Sequence, residues 1–448
     1  WDVILLNQFH DIIPGSSIKK VYDDSWAQYE ELIDRGNGML SSSMLSLAGN
    51  VKSDGGLFVY NSLGFKRTGV ISCNGKSYEV KDIPAYGWKV VNPETPENSV
   101  HICGNTAENK FYVLTLDGSG RIAGMYDKIN GKEVFVPGSY ANEFCIYEDM
   151  PLIYDNWELA DYYKSKCKVL SEPADIDIVD DGCRKGYKIT HKYRSSTLTQ
   201  YVYLYDNIAR VDVENEIDWH EHDQIVKLNF PINVYATKAT YDIQFGNVER
   251  NTHSNTSWDK AKFEVCGHKW VDVSDYGYGV SIINDCKYGF GAEGNKISLS
   301  VLKCGTYPNA QADQGEHRFK YSIFAHKGGF READTVREAY SFNQPLEYVP
   351  INTDENGILS DEFSFVSCDK PNIVIDTLKQ CEDDGSIIIR LFESFNCSTA
   401  CKLNFGVDVV KTELCDLMEN SISEIAVTDN SVDLELSNFE IITLKIKI

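Results

Sequence analysis

Apolar positions at the start of the chain recur with a helical period. Val3, Ile4, Leu5, Leu6, Phe9, Ile12 and Ile13 surround nearly all of a segment that stops at Pro14-Gly15, which predicts a first helix over residues 1–13. Ser16 or Ser17 can cap a second helix running to about Leu47, with Tyr22, Trp26, Tyr29, Ile33 and Met44 among its apolar positions. The run Asn50 to Gly56 is turn chemistry and closes the helical region. Beyond it the period changes to two. Val211, Val213, Ile217 and Trp219 alternate with Asp212, Glu214, Glu216 and Asp218, the pattern of a half-buried strand. Val432, Leu434 and Leu436 repeat it against Asp433 and Glu435, and Leu444, Ile446 and Ile448 against Lys445 and Lys447. Turn clusters such as Asp117-Gly118-Ser119-Gly120 and Asn130-Gly131 punctuate the strands at short spacing, and no βαβ alternation is sustained. The expected fold is mostly β, with a short N-terminal helical segment and antiparallel sandwiches.

Two polar stretches read as linkers, one from Asn92 to Asn98 and one from Asn343 to Gly357. They divide the chain into a helical segment 1–50, a small β domain 51–97, a large sandwich 98–343 and a C-terminal β-sandwich 344–448. A length of 448 residues accommodates such a division. The opening Trp1-Asp2-Val3-Ile4-Leu5-Leu6 reads as the middle of a buried element, so residue 1 is taken as a cut site, and no signal peptide is visible.

Charge narrows the choice of partners. A net charge of −24 repels phosphate backbones, which argues against nucleic acid. Apolar runs are strand-sized and fall short of the roughly 20 residues of a membrane span. Thirteen cysteines, an odd number without CxxC pairs, read as reduced thiols in a cytoplasm.

The candidate chemistry begins with Asn7, His10 and Asp11, which fall at i, i+3 and i+4 on one face of the first expected helix. A helix apolar nearly all round is buried, and buried polar groups need partners. Either the three satisfy one another and nearby backbone, or they meet a metal or ligand. Elsewhere, His220 and His222 flank Glu221 with two imidazoles on one strand face, although a turn reading is favoured. Asp149, Pro151 and Trp157 lie in an aromatic, acidic loop that suits sugar stacking and core packing equally, and Arg250, His253 and Trp258 have the same ambiguity. The acidic pairs Glu148-Asp149, Asp180-Asp181 and Glu382-Asp383 read as solvated or turn charges.

The run Leu5 to Ile18 (LLNQFHDIIPGSSI) resembles the segment of glycoside hydrolase family 38 α-mannosidases where a catalytic barrel meets a three-helix bundle. Further stretches are similar to the same family: Phe58 to Ser62, Gly124 to Lys128, Gly246 to Val265, Glu316-His317-Arg318, and Leu378 to Glu382 with Ile389 to Glu393. Cys381 departs from the small residue expected there. The resemblance implies a galactose-mutarotase-like supersandwich for the large middle unit. It also implies a retaining exo-α-mannosidase acting on mannose-containing glycans, with zinc as the divalent metal. By the same resemblance His10 is a metal ligand and Asp11 a substrate-binding carboxylate. The nucleophile and the acid/base carboxylate belong to the barrel, and no segment here is assigned to it. No catalytic residue is therefore expected in this chain, which alone should be inactive and hold zinc weakly or not at all. The missing N-terminal barrel, or a second copy of the chain, is the expected partner for its apolar helical surface. A non-catalytic carbohydrate-binding module is the rival reading, and a lyase or phosphorylase on the same sandwich a third.

Overall fold

The computed structural model describes residues 1–94 and 98–448, so Thr95, Pro96 and Glu97 of the first expected linker lie outside the described residues. Helix is confined largely to the start of the chain, and antiparallel strands dominate the rest. The residues group into two compact units. One contains Trp1–Leu40, Asn98–Ala239 and Arg250–Gly329, and the other Ser41–Glu97, Thr240–Glu249 and Phe330–Ile448.

Helix α1 spans Asp2–Asn7 and no further, which corrects the helix expected over 1–13. Past Asn7 the chain makes successive turns, with Ile12 N donating to Phe9 O at 2.9 Å. Phe9, His10, Asp11 and the β-branched Ile12 and Ile13 are all poor helix formers, and Pro14 disfavours helical geometry at the residue before it. Nor are α1 and the turns after it buried: Leu5 is 64% exposed, Leu6 58%, Phe9 53% and Ile13 62%. A short helix with little packing has little to hold it beyond its first turns.

Helix α2 spans Lys19–Ala48, close to its expected length. Met44 and Ala48 near its end pack on Val51, Phe58 and Trp88, whereas Trp26 and Ile33 are exposed.

In the first unit, strands Asp175–Asp180, Arg184–Tyr193, Ser196–Tyr205, Val211–Trp219, Gly315–Lys327, Tyr278–Asn284 and Trp270–Ser274 lie side by side in one antiparallel sheet. A second sheet runs Cys167–Val169, Glu143–Glu148, Gln224–Pro231, Lys296–Cys304, Gly289–Glu293 and Val265–Cys266. Val211, Val213, Ile217 and Trp219 point inward as their alternation requires, and Trp219 is fully buried.

In the second unit, Ser53–Asn61 pairs with Gly87–Val91 on one side and with Glu347–Asp354 on the other. The stretch Asn343 to Gly357, expected to be a linker, therefore holds a strand; Tyr348 and Val349 pair across to Val59 and Phe58. From Val366 onward the chain forms a sandwich. Ile389, Leu391, Leu444 and Ile446 from one sheet meet Leu403, Val432 and Leu436 from the other.

Candidate functional site

Asn7, His10 and Asp11 do not share a helix face, because α1 ends at the first of them. Asn7 is buried at 3% exposure, and its amide donates to Val3 O at 2.9 Å and to Gln28 Oε1 at 2.7 Å. Those bonds tie α1 to α2 and leave Asn7 a structural role.

His10 and Asp11 are different. His10 Nε2 stands 3.4 Å from Asp11 Oδ2, and the two side chains are 76% and 36% exposed. The Phe9 ring lies 4.3 Å from the imidazole, centroid to centroid. Tyr22 orders the turn that carries the pair: its hydroxyl accepts from Ser17 N at 2.8 Å and donates to Asp11 O at 3.2 Å. Burial raises the pKa of that phenol above its usual value, so it remains a donor at neutral pH. Ser16 Oγ reaches Asp11 Oδ1 at 3.5 Å.

An imidazole beside a carboxylate suits a divalent cation, and neutral histidine is a good zinc ligand. Two groups make part of a site. Among the described residues no three His, Cys, Asp or Glu side chains gather where they could hold a metal ion. Zinc sites take at least three protein ligands, so the described residues do not complete one.

The other candidates resolve into structure. Glu221 is buried and accepts from Ser195 N at 3.0 Å and Ser196 Oγ at 3.2 Å, closing the turn after the Val211–Trp219 strand. His220 points to Asp218 at 2.9 Å, and His222 is exposed. Thr256 and Asp259 form the capping box of a short helix, Ser257–Ala261, and His253 Nδ1 lies 3.7 Å from Asp259; Trp258 on that helix is 80% exposed. Asp149, expected to be a solvated charge, is 1% exposed and ion-paired to Lys303, which corrects that reading. Burial raises the Asp149 pKa, and Lys303 opposes the rise. Trp157, in the same loop, is exposed at 69%. A buried lysine, Lys227, and the partly buried Glu264 also meet in an ion pair that sequence reading did not single out. The signal available was a cation inside the otherwise apolar run Ile225-Val226-Lys227-Leu228.

Comparison with known proteins covers nearly all of these elements. Residues 1–47 match the α-mannosidase middle domain, 107–311 the glycosyl hydrolases family 38 C-terminal domain, and 372–444 that family's C-terminal beta sandwich domain. Human α-mannosidase 2C1 is 33% identical over 467 residues, which take in 99% of this chain and 45% of the relative. An α-mannosidase of Saccharomyces cerevisiae is 28% identical, covering 100% of this chain and 43% of its own length. This chain thus spans less than half the length of the curated relatives it matches. The crystal structure of an α-mannosidase from Enterococcus faecalis superposes with a TM-score of 0.85 at 16% identity, over 100% of this chain and 63% of that one. By sequence across three matched segments, the chain belongs to glycoside hydrolase family 38, within the C-terminal portion of the family's α-mannosidases.

Proposed function

We propose that this chain supplies the helical start and the β domains of a retaining, zinc-dependent exo-α-mannosidase that removes terminal α-mannose from glycans. The observation that carries the reading is the exposed His10–Asp11 pair, 3.4 Å apart, inside the segment that matches the α-mannosidase middle domain. A core histidine would be buried and fully partnered; His10 has one long polar contact and faces solvent.

In this reading His10 is one of four ligands, and the other three come from a barrel outside this chain. Zinc, where bound, would supply Lewis-acid charge to vicinal sugar hydroxyls and to an oxocarbenium-like transition state, with His10 as this chain's contribution to holding it. His10 offers the lone pair of a neutral imidazole, and the Phe9 ring 4.3 Å away restricts its rotation. Asp11 accepts hydrogen bonds from the hydroxyls of the terminal mannose, which orients the ring. The nucleophile and the acid/base carboxylate also lie in the barrel, so this chain alone does not hydrolyse aryl α-mannosides. The barrel would cover Leu5, Leu6, Phe9, Ile13 and Trp26, which are all exposed here; a second copy of the chain is the alternative cover. Thirteen free thiols support a cytoplasmic setting.

The test is metal content beside kinetics in the full-length protein. His10→Ala is expected to lose both zinc and turnover. Asp11→Asn should keep zinc and lower kcat/KM about ten- to a hundredfold, the worth of one charge-assisted hydrogen bond. A His10→Ala enzyme with full zinc and normal turnover removes His10 from the site.

A further inference from the structure

Lys227 sits in the middle of the strand Gln224–Pro231, with its side chain only 2% exposed. Its ammonium forms a short ion pair with Glu264 Oε1 and lies 3.4 Å from the Tyr163 hydroxyl. That hydroxyl donates to the same carboxylate oxygen at 2.6 Å. Burial lowers the lysine's pKa and the glutamate opposes the change. Packing alone does not require such a pair, because apolar side chains of similar volume often serve as well or better. Gly291 keeps the space open. A Cβ there would stand 3.2 Å from Glu264 Oε1 and 3.6 Å from Lys227 Nζ.

Glu264 is not sealed in. It lines a cavity of about 360 Å³, near the small end of the ~300–1,000 Å³ typical of small-molecule sites. Tyr147, Tyr163 and Phe263 supply apolar ring surface to that cavity. Lys164 and Glu293, 3.5 Å apart, line it as well, together with Lys296. The charges are therefore largely paired, Lys227 with Glu264 and Lys164 with Glu293. An anion entering here would face two carboxylates beside the ammonium groups of Lys164 and Lys296, a lining with no net charge to hold it. A neutral molecule rich in hydroxyls can donate to the carboxylates and accept from the ammonium groups without breaking either pair.

We infer that this cavity binds a neutral sugar of pyranose size, with Glu264 accepting from its hydroxyls and Tyr147, Tyr163 and Phe263 lining its apolar face. The inference does not depend on His10, Asp11 or hydrolytic activity. Lys227 is a positioning residue: it fixes and neutralises the Glu264 carboxylate from below, while the carboxylate touches the sugar.

Cys167 provides the readout, since it lines the cavity and is exposed. The neighbouring Cys145 thiol lowers the pKa of Cys167, which favours its reaction with iodoacetamide at neutral pH. The experiment follows alkylation of Cys167 by peptide mass mapping, with exposed Cys103 as the internal reference. D-mannose, D-glucose and inorganic phosphate are compared as protectants. At a sugar concentration about ten times Kd, Cys167 alkylation should slow about tenfold while Cys103 is unaffected, because the free fraction is 1/(1 + [L]/Kd). Glu264→Gln should weaken that protection about tenfold or more. Phe263→Ala, at a partly exposed position that leaves the ion pair intact, should weaken it too, and it covers the case in which Glu264→Gln fails to fold. Protection by phosphate but not by sugar, no protection by either, or protection undiminished in the folded variants would each overturn the inference.

Discussion

Two histidine–carboxylate pairs in this chain use the same residue types and have opposite surroundings. His326 Nε2 lies 2.8 Å from Asp272 Oδ2, with side chains 4% and 1% exposed. Ser281 Oγ donates to the same carboxylate at 2.8 Å, Ser274 Oγ to its other oxygen at 2.7 Å, and His326 Nδ1 stands 3.2 Å from Gly328 O. All of these partners come from the chain itself. The pair is closed. His10 and Asp11 stand 3.4 Å apart, the first largely and the second partly exposed, and the carboxylate has one further side-chain contact at 3.5 Å. That pair is open, with donor and acceptor capacity left for something else. The lesson is that a serine, a histidine and an aspartate in contact do not make a site. What distinguishes a ligand from a core residue is unused valence at an accessible surface.

The largest expected effect comes from opening the closed pair. Asp272→Ala strands a buried imidazole and two hydroxyls, which should cost about 3 kcal/mol or more. In a unit of this size that corresponds to a fall in Tm of about 6–12 °C, readable by calorimetry. A change below about 2 °C would mean that His326 is held by packing and that the contrast with His10 is one of exposure only. Gly279→Ala attacks the same place by volume: a Cβ there would come within 2.4 Å of His326 Cε1 and 2.6 Å of Ser274 Cβ. The expected cost of overpacking is about 1–3 kcal/mol, measured by denaturant unfolding.

A second closed carboxylate sharpens the comparison through pH. Glu393 is fully buried and accepts from Asn372 Nδ2 at 2.9 Å and from the backbone N–H of Phe395, Asn396, Cys397 and Phe439 at 2.6, 2.8, 3.2 and 3.1 Å. Burial pushes its pKa up, but the Asn372 amide and the backbone amides outweigh that and hold it below the ordinary 4.5. A depressed carboxylate stabilises the fold above its unfolded pKa, and the contribution is lost as pH falls through the folded value. Stability should therefore drop below about pH 4.5. Glu393→Gln should cost about 1–3 kcal/mol at neutral pH and flatten that acid limb. An unchanged acid limb in the variant would assign the acid sensitivity to other carboxylates.

How far this organisation was legible depends on how local its causes are. The strand Val211–Trp219 and the C-terminal sandwich followed from period-two alternation, because one buried face is enough to set it. Helix α2 followed from its period, but it starts at Lys19, so neither Ser16 nor Ser17 stands at its N-cap as expected. Helix α1 did not end where its apolar pattern ended, since the pattern ignores the weak propensities of Phe9, His10 and Asp11 and the scarcity of packing around them. The strand at Glu347–Asp354 was hidden by turn-forming residues and by a partner nearly 300 residues away. His10 and Asp11 were singled out by resemblance, and their exposure could not be read from spacing. Lys227 and Glu264 were missed for a general reason: a single lysine in a strand looks like a solvent-facing residue until its cross-sheet partner is known.

The smallest expected effect tests the open pair within this chain. His10→Ala and Asp11→Ala remove a largely exposed imidazole and a carboxylate with few contacts, and neither substitution leaves a cavity. Exposed substitutions away from caps and cores change stability by about 0.5 kcal/mol or less, and an exposed ion pair adds at most about 1 kcal/mol. Denaturant unfolding of each variant, with and without added zinc, should superpose on the unsubstituted chain. Two residues do not complete a zinc site, so the metal should not move the unsubstituted curve either. A zinc-dependent rise in stability that disappears in His10→Ala would show that this chain gathers further ligands of its own. A loss well above 1 kcal/mol in either variant without metal would place the pair with His326 and Asp272, as a closed contact that exposure fails to reveal.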